Sequence, residues 1–410
     1  MSLDFKVCKI GDLGNIFSGG TPSTKIKEYW DGNLNWLSSG ETRNTYIYRT
    51  EKFITKEGAD NSSTKLANKG DIVIASAGQG FTRGQSSMVM IDTYVNQSVI
   101  VIHPNDKVNN FYLLYNLKFR YPELRQLSDH ASTRGSLTTK IIKDLDINLP
   151  DLNTQNKIAN IIQYFDKKIE TNKKINRNLR NLIKILYKNY FKSFEIGNIP
   201  DDWEIVNIES IIKIYNGYSY KGNELRESDC AMVTIKNFNR DGSFRTDGFK
   251  EIIYSDKIKK HHFINENDVL ISCTDVTQDA DIIGNCIILL DKQNYNELIM
   301  SMDLVKIESK IPEINNFLLA TIFKSYSFKK HILGYVNGTT VLHLDKNGIK
   351  KFKIALPKNL SELKNISERF EIIYNEIQCN QKEINKLINL RDTLLPKLMS
   401  GEIDVSEIDI

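Results

Sequence analysis

Gly78, Gly80 and Gly84 lie with Arg83 and several hydroxyls in GDIVIASAGQGFTRGQSS, residues 70–87, directly after a short apolar run. Two chemistries suit such a loop. Glycine amides can cradle a phosphate, but the spacing GxGxxxG fits neither the dinucleotide fingerprint nor the P-loop, which ends in Gly-Lys followed by Ser or Thr. The other chemistry is base reading. Glycines let the backbone turn sharply and approach a partner closely. Gln79 can pair with adenine, and Arg83 with guanine or a phosphate. Metal and disulfide chemistry find little support. Cys8, Cys230, Cys273, Cys286 and Cys379 form no CxxC pair, as expected of reduced thiols in the cytoplasm. His261-His262 is the one histidine cluster and reads as surface rather than as a metal site.

A chain of 410 residues allows two or three domains. With 40% hydrophobic and 26% charged residues the composition is that of a folded soluble protein. No apolar run approaches the ~18 residues of a membrane span. The start, MSLDFKVCK, lacks the apolar stretch of a signal peptide. Net charge is +4 but uneven: residues 1–198 carry 28 Lys+Arg against 19 Asp+Glu, and the remainder 27 against 32. A basic half permits a polyanionic partner.

The chain is written twice, with a period near 200 residues. DFKVCKIGDLGNIFSGG (4–20) aligns with DWEIVNIESIIKIYNGY (202–218), which puts Gly19 on Gly217. GDIVIAS (70–76) aligns with NDVLISC (267–273), and LDINLP (145–150) with FKIALP (352–357). Each copy then closes with a heptad pattern, the seam of a coiled coil. The first seam is Ile158, Ile162, Phe165, Ile169, Leu179, Ile183, Leu186 and Tyr190. The second is Ile366, Phe370, Ile373, Ile377, Ile384, Leu387, Leu394 and Leu398. A shift of 208 residues superposes the two and places Asn172 on Asn380, where a polar residue fixes register at some cost in stability. Such helices span roughly 55 Å at 1.5 Å per residue. Neither buries its stripe alone, so they are expected to pair with each other, antiparallel. Two domains held a fixed distance apart suit two half-sites on DNA.

At this point the chain resembles the specificity subunits of type I restriction–modification systems, over about residues 5–405. The resemblance rests on SGGTPSTKIKEYWDGNLNWLSSGE (18–41), LPDLNTQNKIANII (149–162) and LRDTLLPKLMSGEIDV (390–405). Two departures stand out. Thr154-Gln155 replaces the usual Glu-Gln pair at the first junction, and the second junction, LPKNLSELKNISERF (356–370), has lost the glutamine. The resemblance implies two target-recognition domains, each reading one half of a split double-stranded DNA site. It implies helices that set the spacer and dock two adenine methyltransferase subunits. It also implies a motor–nuclease restriction subunit, S-adenosylmethionine on the methyltransferase only, and no catalysis or cofactor on this chain. The residues agree with that last point. No Asn/Asp-Pro-Pro-Tyr/Phe string occurs, Pro-Pro is absent, and no motor P-loop is present. Asp303 with Glu308 and Lys310 has no second acidic cluster and reads as the exposed end of a strand.

The expected fold is mixed α/β: two pseudo-two-fold-related, mostly-β target-recognition domains (1–150 and 199–359) and two long helices in an antiparallel coiled coil. The helices fall in 151–198 and in 360–410, the latter with a tail. The counterpart of the opening loop is SCTDVTQDADIIG (272–284), where the glycines are read as not repeated. Only the position persists, as expected of loops that read different bases. The DNA-binding candidates in copy one are Ser38, Arg43, Gln79, Thr82, Arg83, Arg134 and Ser136. In copy two they are Lys236, Asn237, Thr274, Gln278, Asn337 and Thr339. Trp30 and Trp36 are read as packing residues. The lysine-rich outer face of the first long helix, including Lys167, Lys174 and Lys184, is read as partner surface. Competing readings are a stand-alone DNA-modifying enzyme and a coiled-coil scaffold without a DNA role.

Overall fold

The computed structural model describes residues 5–78, 80–131, 135–191, 199–277 and 279–408. The chain is mixed α/β and forms two compact units: Met1–Lys168 with Leu387–Ile410, and Ile169–Lys386. Each unit therefore holds one copy of the repeat and one part of each long helix.

In the first unit a five-stranded sheet runs in the order Gly14–Ser18, Val99–Pro104, Ile72–Ala75, Ser86–Val89, Tyr46–Ile47. Its central strands, IVIA and VIVIHP, are apolar almost throughout because both faces are covered. Ile72, Ile74, Ile100 and Ile102 pack toward the helical side, among Tyr112, Leu113, Ile158 and Ile162. Val73, Val99 and Val101 pack on the other side, with Leu37 and Val95. A second sheet joins Lys52–Ile54, Trp30–Leu37, Thr93–Val95 and Lys65–Ala67. The opening strand Lys6–Lys9 pairs antiparallel with the last strand, Asp146–Leu149.

The second unit repeats this order. Ile212–Asn216, Leu304–Ser309, Val269–Ser272 and Cys286–Ile288 form the counterpart sheet. Trp203–Asn207 pairs with Lys353–Pro357, again first strand with last. Lys250–Glu251, Cys230–Val233, Glu297–Met300 and Phe263–Ile264 form the second sheet. An additional three-stranded sheet joins Thr274–Asp275, Leu342–Leu344 and Val336–Asn337.

The two junctions reach one end by different residues. Asp151 starts the first long helix, Leu152–Tyr190, by accepting from the Asn153 and Thr154 amides at 2.8 and 3.1 Å. The Thr154 hydroxyl donates to it as well, at 2.7 Å, and that bond first, then the amide, holds the Asp151 carboxyl below its usual range. Gln155, buried, donates to the Pro150 carbonyl at 2.8 Å and accepts from the Asn109 amide at 2.8 Å, tying the junction to helix Asn110–Phe119. The second junction has no such glutamine. There Ser367 donates to the Glu313 carbonyl at 2.7 Å, and Asn315, which caps helix Asn316–Phe323, donates back to the Ser367 carbonyl at 3.1 Å.

The long helices pair antiparallel in each unit. In the first, Lys157 donates to the Ser406 carbonyl at 2.6 Å and Asp166 meets Arg391 at 2.8 Å. Ile162 is buried there, Leu394 packs against the same core, and Phe165 and Leu387 are half-buried. In the second unit Leu179, Leu186, Phe370, Ile373 and Ile377 belong to one core, and Ile169 is buried. The polar layer is wider than the repeat suggested. Asn172 donates to Glu383 at 2.6 Å, while Asn380 donates not to Asn172 but to Asn176, at 3.0 Å. Asn176 also donates to the Ile377 carbonyl at 3.3 Å. Asn380→Leu alone is expected to cost about 1–3 kcal/mol, because the buried Asn176 oxygen loses its donor. Asn176→Leu with Asn380→Leu is expected to raise the urea midpoint above that of the single variant, with register specificity lost.

Candidate nucleic-acid interface

The opening loop of copy one hangs from the end of strand Ile72–Ala75. Gly84, at φ +85°, closes it by donating its amide to the Ala75 carbonyl at 2.9 Å. In copy two Gly284, at φ +73°, donates to the Ser272 carbonyl at 2.8 Å. This corrects the reading that no glycine is repeated. The closing glycine is common to both copies, for the same backbone reason, and only Gly78 and Gly80 are particular to copy one. A second anchor is also shared: the Leu137 amide donates to the Ser76 carbonyl at 2.8 Å, and the Leu344 amide to the Cys273 carbonyl at 2.9 Å.

Each loop is clamped by the helix that follows. In copy one helix Tyr121–Ala131 supplies Arg125, which donates to the Gly80 carbonyl at 2.6 Å, and Tyr121, which donates to the Phe81 carbonyl at 3.0 Å. Phe81 is left 84% exposed at the tip. In copy two helix Tyr326–Leu333 supplies Lys329, which donates to the Ile283 carbonyl at 2.6 Å and to the Asn285 side chain at 2.8 Å. Burial pushes the Lys329 pKa down, against the pull of Asp275 and Asp281. Asp275, fully buried, organises the loop from within: it accepts from the amides of Thr277, Ile282 and Ile283 at 2.8, 2.6 and 3.0 Å. Burial raises its pKa, but these donors outweigh it and hold the carboxyl below the usual range.

The candidates fall into groups. Thr82, a DNA-binding candidate, and Arg83, read as a contact to guanine or a phosphate, are both buried in this structure. Arg83 is 9% exposed, donates to the Gly135 carbonyl at 3.1 Å and ion-pairs with Asp129. Gly135, at φ +62°, has no room for a Cβ beside that guanidinium. Ser136 follows it, half-buried. Asn237 is likewise scaffold rather than reader. It is 0% exposed, accepts from the Thr234 amide at 2.9 Å and donates to the Arg245 carbonyl at 3.0 Å. Ser38 stands where Thr234 does, its amide bonded to Glu41 at 2.9 Å. Both turns follow strands that pair parallel at equivalent places, Leu37 beside Val95 and Val233 beside Met300. Arg43, Lys236, Asn337 and Thr339 are exposed. Gln79, Arg134 and Gln278 lie outside the described residues.

The structure brings the candidate loops of each copy together. In copy one Arg83 joins 75–84 to Gly135. In copy two Thr274, His343 and Asn337 face one another across three strands. Sequence reasoning missed Phe81, Arg125, Lys329 and His343. The clamps were hidden because a lysine or arginine on an amphipathic helix looks the same whether it meets water or a carbonyl. Trp30 and Trp36 pack edge to face at 5.0 Å, as read. Glu308 pairs with Lys306 at 3.0 Å, and Lys310 donates to the Glu209 carbonyl at 2.8 Å, at the end of strand Leu304–Ser309. Among the described residues no cluster of metal-ligating side chains occurs, and no helix is long and apolar enough to cross a membrane.

Comparison with known proteins agrees with this duplicated architecture. The family model described as type I restriction modification DNA specificity domain matches residues 2–181 and again 200–389. The type I restriction enzyme MjaIX specificity subunit of Methanocaldococcus jannaschii is 29% identical, over 99% of this chain and 95% of its own length. The MjaVIII specificity subunit of the same organism is 25% identical over 99% and 94%. A crystal structure of a type I restriction–modification S subunit from M. genitalium shares the fold, with a TM-score of 0.59 at 15% identity over 97% of this chain and 96% of that one. A loop scaffold built twice on matching sheets, and a family model that matches both copies, place this chain in the type I restriction–modification DNA specificity family.

Proposed function

We propose that this chain is the non-catalytic specificity subunit of a type I restriction–modification complex, each copy reading one half of a bipartite double-stranded DNA site. The observation that supports this reading is one loop scaffold with two different tips. Gly84 and Gly284 close the loops alike, whereas the residues between the anchors differ. Phosphate contacts position a protein on DNA, and base contacts specify sequence. A fixed frame with exchanged tips alters the second without the first. The paired helices set the spacer and dock two adenine methyltransferase subunits, which hold S-adenosylmethionine. A motor–nuclease subunit completes the restriction complex, and the assembly works in the cytoplasm. The lysine face around Lys167, Lys174 and Lys184 offers partner surface and a long-range pull on DNA.

Single-molecule sequencing of methylated adenines, with and without the gene, tests this reading. Deletion is expected to erase methylation at one split motif. Replacing residues 1–150 with those of a relative is expected to change one half of that motif only. If a methyltransferase partner co-purifies with the chain and no motif depends on it, the reading fails.

A further inference from the structure

We propose that the second copy reads its half-site with a β-hairpin laid into the major groove, and that His343 is a specificity-determining residue at the centre of its reading face. This rests on the DNA-reading function proposed above. The hairpin pairs Val336–Asn337 with Leu342–Leu344, and Thr274–Asp275 lines its other side. In register, Thr274 stands opposite His343, and His343 opposite Asn337. Side chains alternate along a strand, so these three share one face. Burial says which face that is. Val336, Leu342 and Leu344 pack on the core, whereas Asn337 and His343 are exposed. The turn is tight: Gly338, at φ +113°, would place a Cβ 2.2 Å from the Val341 carbonyl oxygen.

The dimensions and the chemistry suit a groove. The major groove, about 12 Å wide, admits a two-stranded ribbon. His343 and Asn337, on strands about 4.8 Å apart, span roughly one to two stacked base pairs, while the Thr274 hydroxyl beside them is buried and, among the described residues, without a hydrogen-bond partner. An imidazole N–H fits the acceptor edge of guanine, and the Asn337 amide fits the acceptor–donor edge of adenine. Copy one has less chain for such a device. Five residues (132–136) join helix Tyr121–Ala131 to its anchor, Leu137, whereas ten (334–343) join helix Tyr326–Leu333 to Leu344. The two halves would therefore read with different shapes.

The test uses the full chain in complex with its methyltransferase subunits. His343→Ala and Asn337→Ala are compared with wild type on duplexes altered one base pair at a time, and methylated motifs are mapped in cells. Each variant is expected to lose discrimination about ten- to a hundredfold at one base pair of the second half-site. The first half-site and the salt dependence of binding are expected to stay as in wild type. Both side chains are exposed, so an unchanged melting temperature is expected and checks folding. Two results overturn the proposal: uniform weakening on all sequences with a shallower salt slope, which marks a phosphate contact, or unchanged discrimination for both variants. Failure of the underlying DNA reading looks different, since wild type itself would then show no dependence on the second half-site.

Discussion

Asp166→Ala is expected to cost about 2–4 kcal/mol of stability, because two covered hydroxyls lose an acceptor and a half-buried guanidinium loses one of its two carboxylates. Asp166 is buried in the first long helix and gathers donors from three directions. Arg391 of the closing helix lies at 2.8 Å, and the hydroxyls of Tyr115 and Tyr46 at 2.9 and 3.1 Å. Burial first, and then the Asp166 charge, push both phenols well above their ordinary pKa, which keeps them as donors. The same cluster joins copy one of the repeat to both helices within its unit. Removing the carboxylate takes an acceptor from both hydroxyls, which keep their 2.6 Å bond to each other, and leaves Arg391 with Asp392, at 2.8 Å, as its remaining carboxylate. Asp166→Asn keeps an acceptor and is expected to cost less. Asp166→Leu with Arg391→Met is expected to recover most of the loss, since an apolar pair can replace a buried ionic one. Urea unfolding of the full chain checks the series, and equal midpoints for wild type and Asp166→Ala would remove the network from the account.

Gly19→Ala and Gly217→Ala are each expected to destabilise by about 3 kcal/mol or more, at or beyond the upper end of overpacking costs. A Cβ on Gly19 would sit 1.9 Å from the Val95 carbonyl oxygen, and one on Gly217 1.9 Å from that of Ser301. Both obstacles are backbone held in strands or their immediate continuations, so neither can swing aside as a long side chain would. A drop of roughly 6–12 °C in melting temperature follows for a unit of this size. Gly222 supplies the control, since a Cβ there meets nothing within 4 Å. Gly222→Ala is expected to stay within about 0.5 kcal/mol of wild type.

The alignment of Gly19 with Gly217 was legible without any structure, as were the buried strands and the helical seams. These signals are periodic or recur between the copies, and recurrence removes the ambiguity of a short string. The candidate site was less legible, because it depends on which way single side chains turn. Arg83 has the right chemistry for guanine but is spent on Gly135 and Asp129. Asn237 has the right amide but holds a turn from inside the core. Gly284 was overlooked because three extra residues separate the anchors in copy two. His343 gave no signal, since a lone histidine acquires meaning only through its register with Thr274 and Asn337.

The three extra residues between the anchors of the second loop also bear on how the two copies could come to differ. The segment between the hydrogen-bonded anchors spans 75–84 in one copy and 272–284 in the other, with the same amide-to-carbonyl closure at its base. By polymer statistics, lengthening a closed segment from ten to thirteen residues costs only about 0.2 kcal/mol. The sheet beneath is therefore nearly indifferent to how much chain is spliced in above it. Under selection for new sequences, such a frame behaves as a socket: extra chain between the anchors costs the fold little, as long as the clamps from Arg125 and Lys329 and the buried Asp275 are kept.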